Sequence, residues 1–201
     1  MNTDFMTSIK SRRSIYEITK ETTIPDYKLK ELIQDAVKHV PSAFNSQSMK
    51  IVLLLGENHD RLWDITKEIL RGEVPADKFE PTEKKMEGFK AGYGTILYYD
   101  DTSITNDLME RFPLYKDNFP LWAHHGNGML QFALWNILEN EGLGASLQHY
   151  NPLIDQRVAK EWNLPQAWQL VAQMPFGKVK ADYVSKDKEF LPIESRIKIY
   201  G

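Results

Sequence analysis

Apolar positions along this chain recur at two spacings, and each predicts a different element. From Asp26 to Val40, the residues Leu29, Leu32, Ile33, Ala36, Val37 and Val40 return at three- and four-residue intervals. That spacing predicts a helix with one apolar face. Pro25 and Asp26 suit its entrance and Pro41 its end. Leu62, Ile65, Ile69 and Leu70 predict a second helix over 59–71, followed by a loop from Gly72 to Pro81. The charged run from Thr82 to Ala91 predicts an exposed helix. A third apolar face (Leu130, Ala133, Leu134, Ile137 and Leu138) starts after Gly128 and closes at Gly142, a C-cap glycine. Asn151-Pro152 reads as an N-cap opening a further helix that Pro165 closes. Continuous apolar runs at Ile51–Leu55, Thr95–Tyr99 and Gln169–Met174 read as strands, the first of them buried and the last stopped by Pro175. Ile197-Lys-Ile199 reads as an edge strand. Strands interspersed with helices predict an α+β fold with helices packed on a central sheet.

The 201 residues suit one domain, expected to span 1–201. With 42% hydrophobic and 26% charged residues, the chain reads as folded and not disordered. A net charge of -3 gives no general attraction to nucleic acid or to an anionic membrane. With no cysteine, disulfides, zinc–thiolate sites and thiol nucleophiles are excluded. The first twenty residues are polar and lack the apolar core of a signal peptide. No run approaches the roughly 18 apolar residues of a membrane span. These readings together predict a cytoplasmic protein.

Three segments carry candidate chemistry. In Ser11-Arg12-Arg13-Ser14, two planar guanidinium groups flanked by hydroxyls are suited to a phosphate monoester. The same residues could also form a solvated basic turn. Pro41-Ser-Ala-Phe-Asn-Ser-Gln47 links a helix to a strand and is dense in amides and hydroxyls. Asn45 and Gln47 can both donate and accept, which suits the polar edge of a flat heteroaromatic ring; a plain connecting loop is the other reading. Gly142-Leu-Gly-Ala-Ser-Leu-Gln-His-Tyr-Asn-Pro152 lets backbone approach a ligand closely. It is not GxGxxG and it follows a helix, so it is not a dinucleotide fingerprint. His124, His125 and His149 are possible metal ligands, but adjacent histidines diverge on a helix and no acidic partner stands at the right spacing, so no metal is expected. Trp122, Phe132 and Trp135 read as core or subunit interface, with a wall against a flat ligand ring as the other reading.

Taken in order, Arg12-Arg13-Ser14, then Pro41-Ser-x-x-Asn-Ser-Gln47 before a strand, then Gly-Leu-Gly-x-x-Leu-Gln-His-Tyr-Asn-Pro and Ala172-Gln-Met-Pro-Phe-Gly177, the chain resembles the nitroreductase family. The likeness is to its short-subunit bacterial and fungal branch and runs along nearly the whole sequence. It implies a three-layer α+β fold, with a central, mainly antiparallel sheet flanked by helices, in an intertwined homodimer. The resemblance further implies two FMN sites at the dimer interface and reduction of nitroaromatics or quinones by NAD(P)H. Carried onto this chain, Arg12, Arg13 and Ser14 match the phosphate-end motif, and Asn45 and Gln47 the ring-edge motif. Gln148 and His149 stand where relatives lay backbone against the flavin. Arg196 resembles the C-terminal basic residue of the phosphate site, with Lys188 as a further contributor. Ser48-Met49 replaces the Pro-Trp of many relatives, and Gln148-His149 their glycine pair.

The cofactor would carry the redox step, so no side chain is assigned a catalytic role. Arg13 or Lys50 would supply positive charge at the N1–C2 edge of the ring. The expected cycle is ping-pong between NAD(P)H and a small-molecule acceptor. Two other classes fit the same residues: a flavin-binding sensor or store that does not turn over, and a metal-stress protein using its histidines.

Overall fold

The helices Asp26–His39 and Phe119–Asn140 lie on one face of the sheet and the helices Glu57–Glu73, Glu80–Lys90 and Asp155–Glu161 on the other, as the two buried clusters show. The computed structural model describes residues 4–201. In chain order the elements are α1 (Phe5–Ser11), β1 (Ile18–Thr19), α2 (Asp26–His39), β2 (Met49–Leu55), α3 (Glu57–Glu73) and α4 (Glu80–Lys90). Then follow β3 (Gly94–Asp101), α5 (Thr102–Arg111), α6 (Phe119–Asn140), β4 (Leu143–Ala145), α7 (Asp155–Glu161) and β5 (Trp168–Val179). The named strands pair antiparallel: β2 with β3, β3 with β5, and both β1 and β4 with β5.

The sheet is covered on both faces because β3 is apolar on both. Ile96 and Tyr98 enter the cluster with Leu29, Ile33, Leu130 and Leu134, while Leu97 and Tyr99 enter the one with Leu62, Trp63, Met86 and Val158. Side chains alternate across a strand, so a continuous apolar run is what a sheet between two helical layers requires. The 51–55 run, expected to be buried, lies in the edge strand β2, and Ile51, Val52 and Leu53 are only half-buried.

Several expected boundaries shift, each for a local reason. Helix α6 begins at Phe119, about two and a half turns before Gly128. Pro120 sits in its first turn, where its missing N–H is harmless, and Gly126 lets the helix approach Met49 Sδ, 3.3 Å from where a Cβ would stand. Gly142 closes it with φ +76°. Strand β5 does not stop at Pro175 but runs on to Val179. The Pro175 carbonyl accepts from Ser146 N–H at 3.3 Å, so the proline costs only the return bond on the short β4 side.

Asn151 does not cap a helix, because its side chain accepts from Gln173 Nε2 at 3.3 Å. Helix α7 starts at Asp155 and ends at Glu161, before Pro165. The 72–81 segment is not all loop: α3 runs to Glu73, Ala76–Lys78 is a 3-10 turn and α4 starts at Glu80. The charged helix α4 is not simply exposed, since Met86 and Phe89 are fully buried. Ile197-Lys-Ile199 forms no strand; it is exposed coil after a short 3-10 turn, Ile193–Ser195.

Candidate functional site

Beyond α1 the chain extends along the outer side of β4. Ser14 bridges Ala145 in parallel, and Ile15 N–H donates to the Ala145 carbonyl at 2.9 Å. Ile15 is buried, so Ser14 and Tyr16 point outward by strand alternation. The Arg12 guanidinium lies 4.3 Å from the centroid of the Trp135 ring. Arg13 Nη2 donates to the Asp187 carbonyl at 3.2 Å. Lys188 Nζ donates to the Ile9 and Lys10 carbonyls at 3.1 and 2.5 Å, at the open carbonyl end of α1. These contacts fold the C-terminal segment over the N-terminal one. The cleft between them measures 710 Å³, and Arg12, Arg13, Ser14, Tyr16, Tyr183 and Lys188 are among its lining residues.

Charge is concentrated in this cleft. Burial, then Arg12 and Arg13, lower the pKa of Lys188; burial and then Arg13 lower that of Arg12, against an opposing pull from Glu139. Among the described residues none of the three cations pairs with a carboxylate, although ion pairs are common elsewhere, as in Lys90–Asp64 at 2.7 Å and Arg61–Glu161 at 3.0 Å. Convergent cations, drawn on by Glu139 but in ion-pair contact with no carboxylate among the described residues, in a chain of net charge -3, are chemically suited to an oxyanion such as a phosphate.

The 41–47 loop has a different character. Phe44, Asn45 and Gln47 have φ of 55°, 51° and 52°. Left-handed backbone costs a side-chain-bearing residue roughly 1–2 kcal/mol, less for Asn. Hydrogen bonds within the loop close it: Asn45 N–H to the Ser42 carbonyl, Ser46 N–H to the Ala43 carbonyl and Gln47 N–H to Ser42 Oγ, each at 3.0 Å. The Asn45 side chain is exposed, and Gln47 makes only a long 3.5 Å contact to the Asn45 carbonyl. Both amides are therefore available to a ligand. Lys50 donates to the Gln47 carbonyl at 3.0 Å and stands 3.8 Å from Asp101. Gln47 and Lys50 also line a 660 Å³ cavity between α2 and the edge strand β2.

The remaining sequence candidates divide. Lys188 joins the arginines, whereas Arg196 is exposed beyond the 3-10 turn and does not line their cleft. Gln148 is buried; its backbone N–H and carbonyl are both taken by Gln173, and its side chain donates to Ser146 Oγ. His149 is exposed, as are His124 and His125 on α6. Among the described residues no three His, Asp or Glu side chains form a metal-ligand group. Sequence reasoning missed Tyr16 and Tyr183 in the cleft and Trp135 beneath Arg12. The alternation of Ser14, Ile15 and Tyr16 was a signal for the first; Trp135 gave none. The two principal motifs do not meet within one chain. Gln47 and Lys50 stand at the β2 edge and Ser14 outside β4, four strand steps apart, about 19 Å at the usual strand spacing.

Residues 9–178 match the profile of the Nitroreductase family. The chain is 35% identical over 195 residues to HBN1 of Saccharomyces cerevisiae, covering 92% of this chain and 95% of that protein. It is 30% identical over 192 residues to nitroreductase FRM2 of the same yeast, covering 94% and 93%. Nitroreductase CinD from Lactococcus lactis, solved with chloramphenicol and with 4-nitrophenol, superposes with a TM-score of 0.89 at 39% identity, covering 98% of this chain and all of that one.

Proposed function

The chain belongs to the nitroreductase family, and from that premise we propose that it is an FMN-dependent oxidoreductase passing hydride from NAD(P)H to nitroaromatic or quinone acceptors. The observation that supports this reading is the cleft of three cations in ion-pair contact with no carboxylate among the described residues. Arg12, Arg13, Lys188 and the Ser14 hydroxyl would hold the FMN phosphate, and Asn45 and Gln47 would meet the polar edge of its ring. When bound, FMN supplies the hydride-accepting and hydride-donating chemistry.

The protein's own tasks are to anchor, orient and compensate charge. Arg12, lodged over Trp135, and Lys188, held at the end of α1, are cations fixed before the ligand arrives. Lys50, tethered to the Gln47 carbonyl, is the cation nearest the ring-edge amides and would favour negative charge there. Arg13 is committed to the phosphate end. Because the two motifs lie at opposite sheet edges, a complete site needs a homodimer in which the 41–47 loop of one copy meets the cationic cleft of the other. Exposed apolar side chains on α6 (Leu121, Met129, Phe132) and in the C-terminal segment (Phe190, Leu191, Ile197, Ile199) support such an assembly. A single domain over 1–201 and a cytoplasmic location complete this reading.

Steady-state kinetics test it. NADH or NADPH consumption should require a quinone or nitro acceptor, and double-reciprocal plots should be parallel, as a ping-pong cycle demands. A flavin-loaded protein that oxidises neither nucleotide would instead be a non-turnover flavin binder.

A further inference from the structure

We propose that Phe44 is a positioning residue whose ring, locked into an aromatic cluster, holds the 42–47 loop in the shape that presents Asn45 and Gln47. The inference rests on the flavin reading above and deepens it. Phe44 packs against four rings: Phe112 at 5.0 Å between centroids, Phe119 at 5.3 Å, Tyr115 at 5.9 Å, and Trp122 at 6.0 Å, the last nearly parallel at 17°. Trp122 is itself wedged edge-on against Phe119 at 5.3 Å. The partner rings come from the segment between α5 and α6 and from the first turns of α6, all outside the loop.

A purely burial-driven role does not account for this residue. Phe44 remains 51% exposed, and it adopts a left-handed backbone that a bulky side chain disfavours. Such strain persists only where surrounding contacts over-determine it, and it concentrates at functional sites. Among the described residues, the loop's hydrogen bonds tie it only to itself and to Lys50. Ser42 also lies against α6, its Cβ 3.8 Å from where a Cβ of Gly126 would stand, but Phe44 brings the large contact, four rings, and Asn45, with its exposed amide, is the next residue along. Fixing Phe44 fixes the direction in which that amide points.

The test uses the full-length protein and alters the loop's anchor from both sides. Phe44→Leu removes the aromatic ring; Trp122→Leu removes its stacked partner and leaves the loop sequence intact; Phe44→Tyr keeps the ring. Amide hydrogen exchange over 42–47 is measured without FMN, and the FMN dissociation constant and the visible dichroism of bound flavin are measured with it. Phe44→Leu and Trp122→Leu should each speed exchange and weaken FMN roughly threefold to tenfold, the size of one lost aromatic contact. The double variant should do little more than either alone, and Phe44→Tyr should match the wild type. Wild-type exchange in Trp122→Leu would overturn the clamp. Faster exchange with unchanged FMN affinity and dichroism would overturn its positioning role. A wild-type protein that takes up no FMN would sink the underlying flavin reading instead, while the exchange measurements would still decide whether the ring holds the loop.

Discussion

Arg13 donates only to a backbone carbonyl, and its charge is met by no carboxylate among the described residues. Removing it should therefore act on the ligand more than on the fold. Arg13→Ala is expected to raise the FMN dissociation constant about tenfold to a hundredfold, with little change in urea midpoint; a wild-type constant from titration of the apo-protein would refute the role. His59 behaves in the opposite way. Its ring is buried between Thr95 Oγ1 at 2.8 Å and the Lys90 carbonyl at 3.2 Å, and burial pulls its pKa from 6.5 to about 4. Folding thus favours the neutral ring. That contribution is whole above the unfolded value of 6.5, declines as pH falls toward 4 and is gone below it, amounting to about 3 kcal/mol. Urea midpoints should fall between about pH 7 and pH 4.5 less steeply in His59→Gln than in the wild type; equal slopes would show that His59 is not the titrating group. Arg12, Arg13 and Ser14 stood out in the sequence because paired guanidinium groups beside a hydroxyl have a characteristic composition, and the structure brings all three to one cleft. Phe44 and Trp135 did not, since an aromatic residue in sequence carries no mark of what it packs against.

At the scale of elements, apolar periodicity located α2 almost to the residue because both its ends carry proline. It placed α6 too late, starting the helix after Gly128, although the helix already runs through Gly126, which serves close packing on Met49. Strands β1 and β4, of two and three residues, are too short to leave a periodic signal. Pro175 misled because a strand with a short partner on one side tolerates a missing N–H. The close approach of β1 to β5 depends on Gly177, where an added Cβ would stand 2.3 Å from the Thr19 carbonyl oxygen and 3.0 Å from Tyr93 N. Both obstacles are backbone, so neither can swing aside. Gly177→Ala should therefore destabilise the fold by roughly 1–3 kcal/mol, read as a lower urea midpoint. A wild-type midpoint would mean that β1 is free to move away.

The whole molecule shows why each motif looked weak alone. One chain provides a cationic cleft at one edge of its sheet and an amide-bearing loop at the other, and the sequence order of the motifs hides that separation. The proposed homodimer would bring the two together, so light scattering should give a mass near twice the 23.4 kDa of one chain; a single-chain mass at working concentration would leave the site incomplete. The family relationship accounts for the fold, and the cations that pair with no carboxylate among the described residues are the ground for proposing FMN as the ligand. The most direct test of that claim is the absorption spectrum of the purified protein, followed by titration of the stripped protein with FMN. The account predicts a yellow protein, or one that turns yellow by binding one FMN per chain. A protein that is colourless and stays so in excess FMN would contradict it.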